Sequence, residues 1–451
     1  MPDLPGRSFI RSHSGTEKDS SLMDRFIIQG GVPLNGTITA SGNKNAALKL
    51  LPACLMTDEP VVLHNVPDIA DVRTMIQLIR GLGATVEELG DGSLHVHARE
   101  ITSHVVQHDL AARIRASIVL AGPLLARLGR LELPPPGGDV IGRRRVDTHV
   151  LALEKLGVEV DSTDRFVFTT RGLKGADILL DEASVTATEN TIMAAVLAKG
   201  TTVIRNAASE PHIQDLCHFL NRLGAQVEGI GSNVLTIHGV DRLHGEEFRV
   251  GADFIEVGSF IGAAAVTHGR IRIRQAAPEH LSMIALVFNR LGVHWETEGE
   301  DIIVPEYQPL KVVPDLGGQI PEIKAQPWPA FPSDLLSIAL VLATQAEGTV
   351  LFHEWMYENR FFFVDKLIYM GARAVLCDPH RCLIQGPCRL HGEMERITSP
   401  DIRAGMSLLL AALCAEGTTV IRNVAQIDRG YEQVDDKLRS LGAKLERVPD
   451  E

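Results

Sequence analysis

The sequence has no CxxC pair. Its six cysteines, Cys54, Cys217, Cys377, Cys382, Cys388 and Cys414, are scattered through 451 residues, and scattered thiols in a chain of this size imply a reducing compartment. Cys377, Cys382 and Cys388 lie near His380. Their spacing fits no common zinc pattern and the segment reads as strand–turn–strand, so no metal is expected. Positive charge is also short: 44 Lys and Arg against 57 Asp and Glu leave a net charge of −13, which argues against a general nucleic-acid binder. Residues 1–22 lack the apolar core of a signal peptide. They are polar and turn-rich, and are expected to be a disordered extension or a start placed ahead of a true initiator at Met23. The apolar segments further on are too short, or too interrupted by charge, to span a membrane. A cytoplasmic protein is expected.

What is present is ordinary for a globular chain, with 22% charged and 45% hydrophobic residues, and the length suggests two domains. The organising feature is an internal repeat. A helix-like segment ending in Leu-Gly or Met-Gly, followed by a strand, recurs at Gly83, Gly157, Gly224, Gly292, Gly371 and Gly442, a period of about 70 residues. An opening strand precedes each glycine, as in TTVIRNA and TTVIRNV, and a strand pair follows each of the first five. The sixth copy stops early, and the segment 25–39 is expected to supply its missing strands. The N-terminus then belongs with the C-terminal half. The expected domains are 44–251 and 23–43 plus 252–451, with a cleft between them.

Each repeat also holds a helix that is apolar nearly all round: 45–55, 114–125, 191–197, 259–266, 335–342 and 406–413. A helix without a polar face is a buried one. The fold class expected is α/β, with three repeats per domain, helices inside and sheets outside. The starts of these helices carry Lys44-Asn45, Arg113 with Arg115, Thr188-Glu189-Asn190, Glu256, Ser333-Asp334 and Arg403. Ser333 reads as a cap. Lys44, Arg115 and Arg403 do not, because the helix dipole disfavours a cation there; a bound anion is the natural compensation. Between the second opening strand and the next helix lies Pro134-Pro135-Pro136-Gly137-Gly138-Asp139, then Val140-Ile141-Gly142-Arg143-Arg144-Arg145. A Gly-Gly pair permits close approach to a ligand, an Arg fork suits phosphate or carboxylate, and such a loop over a cleft commonly closes on substrate. Lys44, Arg115, Arg144, Arg403 and Arg360 together would hold a phosphorylated carboxylic acid, a nucleotide diphosphate, or both. Asp139 and Asp334 are the acids left for proton transfer.

These motifs resemble those of the enolpyruvyl transferase family, from about Met23 to the C-terminus. The residues that carry the resemblance are Ser41-Gly42-Asn43-Lys44-Asn45, Arg115-Ala116-Ser117, Pro136-Gly137-Gly138-Asp139, Phe331-Pro332-Ser333-Asp334, Glu358-Asn359-Arg360-Phe361 and Ile427-Asp428-Arg429-Gly430-Tyr431-Glu432. The resemblance implies an inside-out α/β barrel of six repeated units in two domains. It implies transfer of enolpyruvyl from phosphoenolpyruvate to the 3-hydroxyl of UDP-N-acetylglucosamine with release of phosphate, the first committed step of peptidoglycan synthesis, without a cofactor. By position, Lys44, Arg144 and Arg403 would hold phosphoenolpyruvate, and Asn45 and Asp334 would meet the sugar, with Asp334 taking the hydroxyl proton. Arg115, the run Arg144, Arg145, Val146, Asp147 and Thr148, and Ser184, Val185 and Thr186 would hold the UDP part. Met356 would contact the sugar nucleotide through its backbone, and Arg360 would assist near the carboxylate.

The sequence also departs from the family pattern. Asp139 stands where cysteine is usual. A carboxylic acid can still protonate C3 of phosphoenolpyruvate, but it offers no thiolate to the epoxide antibiotic fosfomycin. Arg145 replaces a usual proline, Thr186 a common glycine, Ala330 a glycine, Leu336 a glutamine, and Phe254 a frequent arginine. The sequence therefore leaves two further readings open: a paralogous transferase acting on another nucleotide, and a non-catalytic relative that binds sugar nucleotide.

Overall fold

The structure is a computed structural model that describes residues 24–138, 141–142 and 144–450. Asp139, Val140 and Arg143, and the extension expected at 1–22, lie outside the described residues. The chain forms two compact units, one of residues 42–138 and 144–251, the other of 24–41, 141–142 and 252–450.

Among the described residues the strands form six sheets, three in each unit. In the third repeat the opening strand Thr201–Arg205 pairs antiparallel with Val234–His238, which pairs in turn with Gln226–Glu228. On its other side it takes Asp177–Leu179, a parallel strand from the tail of the preceding repeat. The same loan recurs. Glu247–Arg249 lies parallel to Val61–His64, and Glu322–Ala325 parallel to Gly348–Glu354. Sequence patterning found three strands per repeat and missed this fourth, which is often only three residues long.

The N-terminal segment corrects one expectation. Only Asp24–Gln29 completes the sixth repeat, between Thr418–Arg422 and Lys444–Pro449. Asn35–Thr39 instead joins the fourth repeat, parallel to Arg270–Arg274. The cause lies between the two strands. Gly31 has φ of +77°, and Gly30 and Gly31 donate their N–H groups to Gly417 and Leu413, so the chain turns out of one sheet before entering the next.

The six repeat glycines all have positive φ, from 76° to 114°. Each closes a surface helix in the left-handed conformation that a side chain resists. Asn65, Asn206 and Asn423, at the ends of three opening strands, share φ of 58°, 59° and 58°. Their side-chain amides donate to the carbonyls of Val250, Leu180 and Ser399, stitching each opening strand to the borrowed segment beside it.

The core helices are Lys44–Ala53, Ala121–Leu128 and Val185–Val196 in the first unit, and Phe254–Val266, Ser333–Gln345 and Ile402–Cys414 in the second. Several start earlier than their apolar runs, because polar residues such as Glu256 and Arg403 are buried with them. The stretch 114–125 is not one helix. A 3-10 segment, Arg115–Leu120, leads into Ala121–Leu128. At the junction the Gly122 N–H is diverted to Asn190 Oδ1 at 2.8 Å, and Pro123 has no N–H to give, so the α-helical ladder cannot run through. Among the described residues no helix is long and apolar enough to cross a membrane.

Candidate active site

In the first unit, Lys44 opens the first core helix behind Asn43, whose side chain accepts the Ala46 N–H. Its ammonium is 2.8 Å from Asp71 Oδ2, with both side chains almost buried. The misplaced cation therefore has compensation from the chain's own carboxylate, where the sequence argument assigned that role to a bound anion. Asp71 was missed because it reads as an ordinary first-turn acid on an amphipathic helix. Asn45 is half-buried on the same turn. Arg115 starts the 3-10 segment and donates to the carbonyls of Arg144 and Arg145 at 2.8 and 2.9 Å, while Arg113 is exposed.

Arg145 reaches Asp147 Oδ2 at 3.2 Å and Asp181 Oδ2 at 2.9 Å, and the Thr148 hydroxyl donates to Asp181 Oδ1 at 2.7 Å. Val146 and Asp147 form the start of the helix Asp147–Lys155. Ser184, Val185 and Thr186 open the third core helix, and Thr186 Oγ1 lies 3.0 Å from His149 Nε2. The loop glycines have a different cause from the one expected. A Cβ on Gly137 would fall 1.6 Å from the Ala112 carbonyl oxygen, and one on Gly138 would crowd Arg115. The close approach they permit is to the chain's own backbone. In the second unit, Ile141 accepts the Asn359 N–H at 3.1 Å.

Thr188, Glu189 and Asn190 do not start a helix; the third core helix begins at Val185, which places them in its interior. Glu189 is fully buried, 3.5 Å from Lys49 and 4.0 Å from His212. Burial, opposed by Lys49 and reinforced by Glu210, pushes its carboxyl up to about 8. The folded chain then keeps a proton that the unfolded chain loses in the ordinary carboxyl range, so stability falls as pH rises from there towards about 8. Glu189→Gln is expected to flatten that fall, read as melting temperature between about pH 5 and about pH 8.5. A large destabilisation of the variant at neutral pH would mean that Glu189 is ionised there.

In the second unit, Asp334 lies in the first turn of its core helix. Its Oδ1 accepts from Arg360 at 2.5 Å, and its Oδ2 accepts from Arg403 Nε at 3.1 Å and lies 3.0 Å from Arg403 Nη2 in an ion pair. Arg360 and Arg403 are buried, while the Asp334 side chain keeps 31% exposure. Burial works against both guanidinium charges, but Asp334 and the acids beyond it outweigh burial and hold them up. Asp401 caps the helix Ile402–Cys414 through the N–H groups of Arg403 and Ala404, and lies 3.6 Å from Arg360. Arg403 also stands over the Tyr431 ring, 5.3 Å from its centre. One of its nitrogens, Nη1, is buried without a hydrogen-bond partner.

Ser333 is not the helix cap. Pro332 holds that place, and the Ser333 hydroxyl donates to Glu354 Oε2 at 2.6 Å. Glu354 Oε1 takes the Met356 N–H at 2.8 Å. Glu256 likewise has a partner in the chain, Lys437 at 2.5 Å. Of the departures from the family pattern, Leu336 and Phe254 are core residues, Phe254 packing on Trp328 at 5.6 Å. Ala330 is half-buried. Among the described residues no group of His, Cys, Asp and Glu is arranged to hold a metal.

The family described as EPSP synthase (3-phosphoshikimate 1-carboxyvinyltransferase) matches residues 28–438. A relative from Bradyrhizobium diazoefficiens named UDP-N-acetylglucosamine 1-carboxyvinyltransferase is 57% identical over 94% of this chain and 98% of its own. One of the same name from Treponema denticola is 54% identical, with 94% and 99% covered. Among solved structures, the enolpyruvyl transferase NikO from Streptomyces tendae matches with a TM-score of 0.84 at 25% identity, covering 95% of this chain and 99% of that one. EPSP synthase from Acinetobacter baumannii shares the fold at a TM-score of 0.73 and 17% identity, with 94% and 100% covered.

Proposed function

The chain belongs to the EPSP synthase family of enolpyruvyl transferases, and from that premise we propose how its residues carry the reaction. It transfers the enolpyruvyl group of phosphoenolpyruvate to the 3-hydroxyl of UDP-N-acetylglucosamine and releases phosphate, the first committed step of peptidoglycan synthesis. The acceptor follows the relatives at 57% and 54% identity over nearly the whole chain. The other-nucleotide reading is the weaker, since two of the departures that prompted it, Leu336 and Phe254, lie in the core.

The observation that carries the residue assignment is the unpartnered Nη1 of buried Arg403, beside an Asp334 held by two guanidiniums. A buried guanidinium nitrogen without an acceptor is costly, and an anionic oxygen of phosphoenolpyruvate would satisfy it. In this reading Lys44, Arg144 and Arg403 hold phosphoenolpyruvate, and Arg360 fixes Asp334. Asn45 and Asp334 meet the sugar, and Met356 offers its carbonyl, its N–H being occupied by Glu354. Arg115, Arg145, Val146, Asp147, Thr148, Ser184, Val185 and Thr186 hold the UDP part.

Chemically, the 3-hydroxyl oxygen bonds to C2 of phosphoenolpyruvate as Asp334 takes its proton and Asp139 protonates C3. The Asp334 side chain keeps 31% exposure, so the substrate hydroxyl can still reach its carboxylate. The resulting tetrahedral ketal expels phosphate and loses a C3 proton, restoring the double bond. Every atom comes from the two substrates, so no cofactor enters. The free state of all six cysteines fits a cytoplasmic location.

The test is phosphate release from phosphoenolpyruvate with a panel of UDP-sugars. Turnover is expected with UDP-N-acetylglucosamine above the others. Tight UDP-sugar binding without turnover on any acceptor would instead identify a non-catalytic binder.

A further inference from the structure

His149 lies in the helix Asp147–Lys155, is only 1% exposed, and has no part in the reaction as described. Both of its ring nitrogens are engaged, Nδ1 at 2.9 Å from Asn190 Nδ2 and Nε2 at 3.0 Å from Thr186 Oγ1. Asn190 sets the direction of this chain. Its Oδ1 accepts the Gly122 N–H, and its Nδ2 donates to the Ile118 carbonyl, each at 2.8 Å. The second Nδ2 hydrogen therefore meets His149 Nδ1, which must be the acceptor. The neutral ring then carries its hydrogen on Nε2 and donates it to Thr186. Burial first, and the Arg115 charge second, push the imidazole down to about 3, so the ring keeps this tautomer through the neutral range.

A hydroxyl that accepts from such a histidine cannot donate back to it, so its own hydrogen is directed elsewhere. Among the described residues Thr186 Oγ1 has no second partner, and the residue is only half-buried. We infer that Thr186 is a specificity-determining donor for the nucleotide, its hydroxyl turned by His149 towards an acceptor oxygen of the UDP moiety. This rests on the reading that residues 184–186 hold UDP, and deepens it. His149 and Asn190 are positioning residues that act through Thr186. Glycine, the common residue at this place in the family, would offer no such donor.

The test is calorimetric titration of the full-length protein with UDP and with uridine. Thr186→Val keeps the side-chain shape without the hydroxyl and is expected to weaken UDP about tenfold, as befits a lost hydrogen bond to a charged group. Thr186→Ser is expected to stay within about threefold of the parent. Weakening of UDP alone assigns the bond to a diphosphate oxygen; parallel weakening of uridine assigns it to the nucleoside. His149→Phe should reproduce the loss. His149→Gln should recover most of the affinity, because its amide can accept from Asn190 and donate to Thr186. If His149→Phe does not fold, the Thr186 pair decides alone. With UDP-N-acetylglucosamine, the Thr186→Val variant should show a rise in KM larger than its fall in kcat. Equal UDP affinity in the parent and Thr186→Val overturns the inference and leaves the UDP reading intact. Failure of the parent to bind UDP overturns that reading itself.

Discussion

Asp334→Asn is expected to lower kcat by roughly 10²–10⁴-fold, the usual contribution of a positioned base. The amide cannot take the hydroxyl proton. It also presents an NH2 group to one of the two guanidiniums that now share the carboxylate, Arg360 on Oδ1 and Arg403 on Oδ2. Donor then faces donor, and a buried cation loses part of its compensation, so some loss of stability accompanies the loss of rate. The two effects separate experimentally: phosphate release reports turnover, thermal melting reports the guanidinium pairs, and calorimetry reports UDP-N-acetylglucosamine binding. Binding should be largely spared, since the UDP contacts are assigned to other residues. A variant that turns over at near the parent rate removes Asp334 from the base role. A variant that melts normally but does not turn over isolates the proton transfer.

The repeat was legible because composition repeats with it. Six helix-closing glycines and six apolar helices need no long-range information, and both are present, the second helix broken in two. The borrowed parallel strands were not legible. Asp177–Leu179 or Glu247–Arg249 is too short to show a period, and what makes it a strand is a neighbour in another repeat. The site divides in the same way. The oddity of Lys44 and Arg403 at helix starts was visible in sequence, and it pointed to the negative charge of a bound anion. That Asp71 and Asp334 supply negative charge instead depends on which distant acid the fold brings within about 3 Å. The unpartnered Nη1 of Arg403 is what remains of the anion argument, and it is a property of packing alone. The glycines of the Pro134–Gly138 loop carry the same lesson. Backbone freedom is readable, but whether it admits a ligand or the Ala112 carbonyl is not.

Fosfomycin is expected to leave this enzyme active after prolonged preincubation, and Asp139→Cys is expected to make it susceptible, with inactivation rates differing by at least about 10²-fold. The antibiotic is an epoxide. A thiolate opens it by forming a carbon–sulfur bond while the ring oxygen takes the proton, and the adduct is permanent. A carboxylate is a far weaker nucleophile towards the same carbon, yet its protonated form can still deliver a proton to C3 of phosphoenolpyruvate. Asp139 therefore separates two properties that a cysteine at this place combines. The remaining thiols are poor substitutes. Cys54, Cys217, Cys382 and Cys414 have their thiols pushed up by burial and stay protonated at neutral pH. Cys377 is exposed, in the strand Arg373–Asp378 of the fifth repeat, and Cys377→Ser controls for it. The Asp139→Cys variant should retain turnover, because a thiol also donates a proton. That makes residual phosphate release after preincubation a direct readout of alkylation. Rapid, time-dependent loss of activity in the unaltered enzyme, persisting in Cys377→Ser, would show that Asp139 is not what decides the response.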